Sequence, residues 1–125
     1  MEQHEVIDDL AGSIIEPIIQ VHRVLGPGFL ESIYQCALVI ELKKRGLRIA
    51  TEVDVPIRYD GEPIGIHRLD LVVERLVLVE LKAVEGLSKA HYSQVRSYLK
   101  ATGLPVALLV NFAREMADYR RVTLA

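Results

Sequence analysis

The sequence predicts an α/β domain in which helices flank a mixed sheet built around an antiparallel hairpin. Apolar residues recur every three or four positions over residues 6–25, 30–45 and 88–102, which is typical of helices with one buried face. Alternating or continuous apolar runs rich in β-branched residues lie between and after them and predict strands. This order favours a sandwich with a right-handed crossover into a strand at 106–111.

Length and composition limit the class of protein. The 125 residues are 50% hydrophobic, which suits one domain over residues 1–125 and excludes a disordered chain. The formal net charge of -2 gives no overall cationic field, so nucleic acid would have to bind locally. Cys36 is the only cysteine and no basic-then-apolar leader opens the chain, so the expected compartment is the cytoplasm. The apolar runs are far shorter than the ~20 residues of a membrane span, so no membrane role is expected.

The helices are bounded by proline and glycine. The first is expected to bend at Pro17, because proline lacks the amide proton that an interior position donates. Gly26 to Gly28 end it, and Gly46 ends the second helix. Strands are expected over residues 49–59, 64–73, 76–81 and 106–111, with a further one over 119–124.

Two carboxylates interrupt the hairpin strands, since Asp70 and Glu80 each stand between apolar residues. A carboxylate in such surroundings loses solvation worth several kcal/mol and therefore needs a metal or a basic partner. The two meet only if the hairpin pairs them directly, a register that also puts Arg68 opposite Lys82 and residues 74–76 in the turn. Two carboxylates flanked by two cations would suit Mg²⁺ or Mn²⁺ beside a phosphate site. The alternative is an ordinary cross-strand salt bridge on an exposed face.

A third carboxylate, Glu31, falls with Tyr34 in the apolar arc of the second helix. We therefore expect it to point toward the core and to join Asp70 and Glu80. The alternatives are an ion pair with Arg68, or stabilisation of the helix N-terminus by a first-turn carboxylate.

The third helix carries His91, Gln94 and Tyr98 within about 60° of one another. Gln94 and Tyr98 are expected to reach over the hairpin. For His91 a structural role is the stronger interpretation, because a helical histidine often makes one hydrogen bond and nothing else.

These residues resemble a known family. Gly28 to Tyr34 fits the signature of the bacterial and archaeal GxxExxY proteins, a branch similar to the PD-(D/E)xK nuclease superfamily. Asp70 and the segment Val79 to Lys82 match the superfamily's D and ExK motifs. Gln94 to Tyr98 is similar to the QxxxY motif in nuclease domains of bacterial recombination helicases. The resemblance covers nearly the whole chain and implies an αβββαβ core and Mg²⁺-dependent cleavage of phosphodiester bonds in DNA or RNA.

The resemblance also assigns roles. The expected catalytic residues are Glu31, Asp70, Glu80, Lys82 and Gln94, supported by Tyr34, Arg68, His91 and Tyr98. The expected ligands of Mg²⁺ or Mn²⁺ are Asp70, Glu80, the backbone carbonyl of Leu81, and Glu31 directly or through water. One alternative is a catalytically silent module that keeps the fold to bind nucleic acid or a protein. Another is an oligomer, such as a homodimer, that uses the first helix as its interface and exposes Ile14 or Ile18 in the monomer.

Overall fold

A computed structural model describes residues 2–124, so residues 1 and 125 of the expected domain lie outside the described residues. Every predicted helix and strand is present, with ends shifted by only a few residues, and the α/β fold class is confirmed. The helices are α1 (Gln3–Leu25), α2 (Glu31–Lys44) and α3 (Lys89–Thr102). The strands are β1 (Ile49–Tyr59), β2 (Glu62–Val73), β3 (Val77–Lys82), β4 (Val106–Asn111) and β5 (Asp118–Val122).

The five strands form one mixed sheet in the order β1-β2-β3-β4-β5. All neighbours are antiparallel except β3 and β4, which run parallel because α3 carries the chain back between them. The predicted antiparallel hairpin is formed by β2 and β3, and the predicted crossover strand is β4.

A hydrophobic core lies on each face of the sheet. On one face, α1 and α2 bury Ile14, Ile18 and Leu38 completely against the sheet. On the other face, α3 buries Val95 and Leu99 completely. Burying such a side chain stabilises the fold by roughly 1.5–3 kcal/mol, so both helical layers are firmly attached. The expectation that an oligomer would use Ile14 or Ile18 is wrong, because both already fill the core of the monomer.

Helix α1 continues through Pro17, which is itself buried, so the proline does not end the helix. It ends at Gly26, whose φ of 67° is left-handed backbone that glycine adopts without a steric cost. None of the helices within residues 2–124 is long and apolar enough to cross a membrane.

Strand β2 is longer than its neighbour β3 and extends beyond the region where the two strands pair. It pairs with β1 along nearly its whole length, but with β3 only through three pairs, which end at Leu71 and Val79. Beyond Asp70, β1 and β2 therefore continue as a two-stranded ribbon over residues 53–69. The point where β3 separates from β2 is where the two predicted strand carboxylates lie.

Candidate active site

Asp70 and Glu80 exchange hydrogen bonds between side chain and backbone. The backbone N–H of Asp70 donates to Glu80 Oε1 over 2.9 Å, and the backbone N–H of Leu81 donates to Asp70 Oδ2 over 2.9 Å. Each carboxylate thus takes the place of a carbonyl that a regular ladder would supply. The sequence placed the two acids opposite each other, and the structure brings them together through these side-chain bonds beyond the last backbone pair.

Burial, and then the closeness of the two groups, perturbs the pKa values of both acids. Burial raises the pKa of Glu80 to about 8, and the neighbouring charge of Asp70 acts in the same direction. Burial also raises the pKa of Asp70, against the opposing effects of the Leu81 N–H and the charge of Lys82. Two carboxyl groups this close do not both ionise readily. Near neutral pH and without a cation, the pair therefore retains a proton.

Lys82 lies beside the acids without bonding to either. Its Nζ donates to Gln94 Oε1 over 2.8 Å, so α3 fixes the position of the ammonium group. Its positive charge lowers the pKa values of Asp70 and Glu80, which places it within electrostatic reach of both. Gln94 was expected to reach over the hairpin, and it does so by accepting this hydrogen bond from Lys82.

Tyr98 of α3 borders the same group. It is 7% exposed, and its pKa is raised first by burial and then by the negative charges of Glu80 and Asp70. Its ring contacts His67 of β2, with ring centroids 4.6 Å apart. Tyr98 therefore lies near the acids, as expected, and His67 lies next to it.

Glu31 reaches the site from α2, but not through the core. It is exposed, and its Oε1 accepts a hydrogen bond of 3.3 Å from the backbone N–H of Ala83, directly after Lys82. The expectation that it points into the core is wrong, because Tyr34 occupies the buried position of this first turn. Glu31 instead extends past the end of β3.

The comparisons with known proteins identify the family. Residues 8–122 match the PD-(D/E)XK nuclease superfamily. The chain belongs to this superfamily. The crystal structure of SSO0001 is similar, with a TM-score of 0.60 and 21% identity over 74% of this chain and 48% of that one, so the two share the fold. The chain spans about half the length of that protein. No curated protein matches the chain.

Tyr34, the last residue of the suggested GxxExxY signature, has a structural role in this protein. It is fully buried and stacks on Phe112, with ring centroids 4.3 Å apart. Its hydroxyl donates to the Gly26 carbonyl over 2.6 Å and accepts from the Phe29 N–H over 3.2 Å. Tyr34 thus fixes the loop that leads into Glu31 and does not itself face the acids of the PD-(D/E)XK motif.

Two predicted supporting residues lie elsewhere. Arg68 does not pair with Lys82, because the β2–β3 ladder ends before it. Arg68 instead pairs with Asp54 on the neighbouring strand β1, and its Nε donates to Asp54 Oδ1 over 2.8 Å. His91 caps α3, where its Nδ1 accepts from the Ser88 N–H over 3.0 Å. This is the structural role that the sequence favoured for His91.

Asn111 was missed by the sequence interpretation. It is fully buried, stands opposite Lys82 in the parallel pairing of β3 and β4, and bonds both backbone groups of Val84. Its Oδ1 also accepts from the Ala113 N–H over 3.2 Å. Asn111 therefore holds the segment that follows the motif lysine. The only sequence signal was a polar residue closing an otherwise apolar strand.

The oxygen atoms at this site are suitable ligands for a hard divalent cation. The Leu81 N–H points toward Asp70, and the N–H and C=O of one strand residue lie on the same edge, so the Leu81 carbonyl also faces β2. Two carboxylates and one carbonyl form an all-oxygen set of the kind that Mg²⁺ and Mn²⁺ prefer. Across residues 2–124, no group of three or more His, Cys, Asp or Glu side chains is arranged to hold a metal. Glu31 is therefore not part of a three-acid cluster in this structure.

Proposed function

We propose that the protein is a metal-dependent nuclease that hydrolyses phosphodiester bonds of DNA or RNA. The observation that carries the proposal is the carboxylate pair of half-buried Asp70 and buried Glu80, beside Lys82, whose ammonium group is bonded to Gln94 of α3. Such a pair retains a proton when it is alone, and a divalent cation would compensate its negative charge in place of that proton.

In this proposal Asp70, Glu80 and the Leu81 carbonyl would hold Mg²⁺ or Mn²⁺, and Glu31 would contribute directly or through water. When bound, the cation would act as a Lewis acid that polarises the phosphoryl oxygen, and it would lower the pKa of a water molecule that serves as the nucleophile. Lys82, with its ammonium group held by Gln94, would orient the attacking water and offset the negative charge that builds on the phosphoryl oxygens.

Residues of α3 complete the proposed site. Gln94 uses its carbonyl oxygen to hold the ammonium of Lys82, which leaves its amide protons for phosphate or water. Tyr98 presents a hydroxyl donor at the edge of the acidic pair and remains protonated, because burial and the nearby charges raise its pKa. Both side chains would orient the substrate before cleavage.

We also propose that the chain belongs to the GxxExxY branch of the superfamily. Two of the three named residues of that signature have separate tasks that fit the site: Glu31 bonds the backbone just after Lys82, and Tyr34 fixes the preceding loop. A cytoplasmic location, a single domain and a homodimeric state belong to the same proposal.

The test is a titration of Mg²⁺ and Mn²⁺ with single- and double-stranded DNA and RNA. Cleavage should require the cation and disappear in Glu80→Gln, which keeps an oxygen acceptor for the Asp70 N–H and so preserves the fold. Retained cutting by that variant would reject the assignment. A silent binding module would instead bind nucleic acid in both proteins without cleavage and without affinity for Mn²⁺.

A further inference from the structure

Glu52 has an unusual backbone for a strand residue. Its φ of 51° lies in the left-handed region, which costs free energy for any residue with a side chain. Among residues 2–124, three other non-glycine residues have positive φ, and all three lie in turns that close hairpins: Asp60, Glu74 and Arg75. Glu52 alone of the four lies inside β1.

Glu52 stands opposite Asp70. Thr51 pairs with Leu71 and Val53 pairs with Leu69, so the intervening residues face each other, yet they form no pair. From residue 49 to residue 57, Glu52 is the only β1 residue without a partner on β2. The ladder is therefore interrupted at Asp70 on both sides, toward β1 and toward β3.

The two strands also exchange faces at this point. Leu69 packs in the core on the α3 side, whereas Leu71 packs in the core under α1 and α2. Residues two apart in a regular strand share a face, so β2 must rotate between them. Ile49 and Val53 of β1 are divided between the two cores in the same way. The left-handed residue lies within the rotating segment of β1.

The rotation accounts for the hydrogen bonds of Asp70. In a regular ladder, its N–H would bond a carbonyl and its side chain would stand perpendicular to the sheet. Here the N–H reaches the side chain of Glu80, and its carboxylate reaches the Leu81 N–H in the plane of the strands.

The side chain of Glu52 makes a second connection. Its Oε1 accepts a hydrogen bond of 3.3 Å from Gln35 Nε2 on α2. Gln35 lies one turn after Glu31, on the same side of the helix. Glu52 thus contacts the helix that carries Glu31.

We propose that Glu52 is a positioning residue of the carboxylate pair, and that its left-handed backbone turns β2 so that Asp70 meets Leu81 and Glu80. The inference rests on the proposed function, in which this pair holds the cation. It adds a residue of β1 whose side chain bonds neither acid and whose contribution is conformational.

Two substitutions separate backbone from side chain. Glu52→Gly removes the carboxylate but adopts positive φ freely, whereas Glu52→Val favours an extended backbone that would complete the ladder. Mn²⁺ binding by calorimetry and the amide resonances of Asp70 and Leu81 are measured for both. The glycine variant should keep both resonances and bind Mn²⁺ within about threefold of the original protein. The valine variant should stay folded with a lower Tm, shift both resonances, and bind Mn²⁺ at least tenfold more weakly.

Either of two results would overturn the inference: unchanged resonances in Glu52→Val, or equal loss of Mn²⁺ affinity in both variants, which would point to the carboxylate instead. Glu52→Ala, which also disfavours positive φ, replaces the valine variant if that protein does not fold. Absence of Mn²⁺ binding in the original protein would reject the proposed function, and the two amide resonances would then decide the positioning claim by themselves.

Discussion

Lys82 Nζ lies 2.8 Å from Gln94 Oε1, so the ammonium group is tied to α3 and not to either carboxylate of the sheet. Gln94 thus fixes the position from which the ammonium group can act on a phosphate beside the carboxylate pair.

Replacing Gln94 should therefore impair catalysis without affecting metal binding. In Gln94→Leu, Lys82 loses its acceptor, and we expect cleavage to slow by about tenfold or more while Mn²⁺ affinity stays unchanged. Gln94→Glu keeps an oxygen at this position and should restore much of the rate. Ser93→Ala, an exposed change on the same helix, is the matched control. A parallel loss of Mn²⁺ affinity in Gln94→Leu would contradict this role.

Metal affinity should rise with pH. Because the pKa of Glu80 is raised to about 8, the cation has to displace a proton at lower pH. We expect the apparent Mn²⁺ association constant to increase by about tenfold per pH unit up to about 8 and to level off above it. Calorimetry in buffers of different ionisation enthalpy would count the released proton. An affinity that is independent of pH between 6 and 8 would contradict the proposal.

The stability of the metal-free protein should fall over the same range. The folded pKa of Glu80 lies above the unfolded value near 4.5, so its stabilising effect is complete below 4.5 and is lost as pH rises through about 8. We expect the urea midpoint in EDTA to decrease between pH 6 and pH 8.5. Glu80→Gln, which does not titrate, should show a smaller decrease, and identical pH profiles would exclude Glu80 as the cause.

Removing the hydroxyl of Tyr34 should affect both fold and activity. Tyr34→Phe leaves the Gly26 carbonyl and the Phe29 N–H without their partner, which should cost about 1–3 kcal/mol. Because this loop leads into Glu31, cleavage should also slow at temperatures where the variant remains folded. Tyr59→Phe, at a residue that is 74% exposed, should change neither quantity. Urea unfolding and cleavage rates measured on both variants provide the comparison.

Arg68→Ala should leave the site intact. Arg68 bonds Asp54 on the exposed ribbon, and exposed ion pairs contribute little to stability. Metal-dependent cleavage and the urea midpoint should both match those of the original protein. A large loss of cleavage in this variant would instead support the phosphate-binding role for Arg68 that the sequence suggested.

The sequence predicted the fold well because periodicity and turn residues decide it locally. Asp70 and Glu80 were recognisable because a carboxylate inside an apolar strand is conspicuous. The partner of Arg68 and the direction of Glu31 were not predictable, since both depend on where β3 separates from β2. A helical wheel gives the angle of a side chain around its axis, but not whether the sheet still extends beneath it.

The long ribbon also affects how the molecule behaves among its own copies. Strand β1 is a sheet edge along its whole length, and β2 becomes one beyond Asp70, so backbone groups on both sides of the ribbon are available to another chain. Pro56 and Pro63 lie in this ribbon, and neither has an amide proton to donate to an added strand. The ribbon can thus project from the sheet with little tendency to seed intermolecular β-sheet, and a chain lacking both prolines would be the one to aggregate.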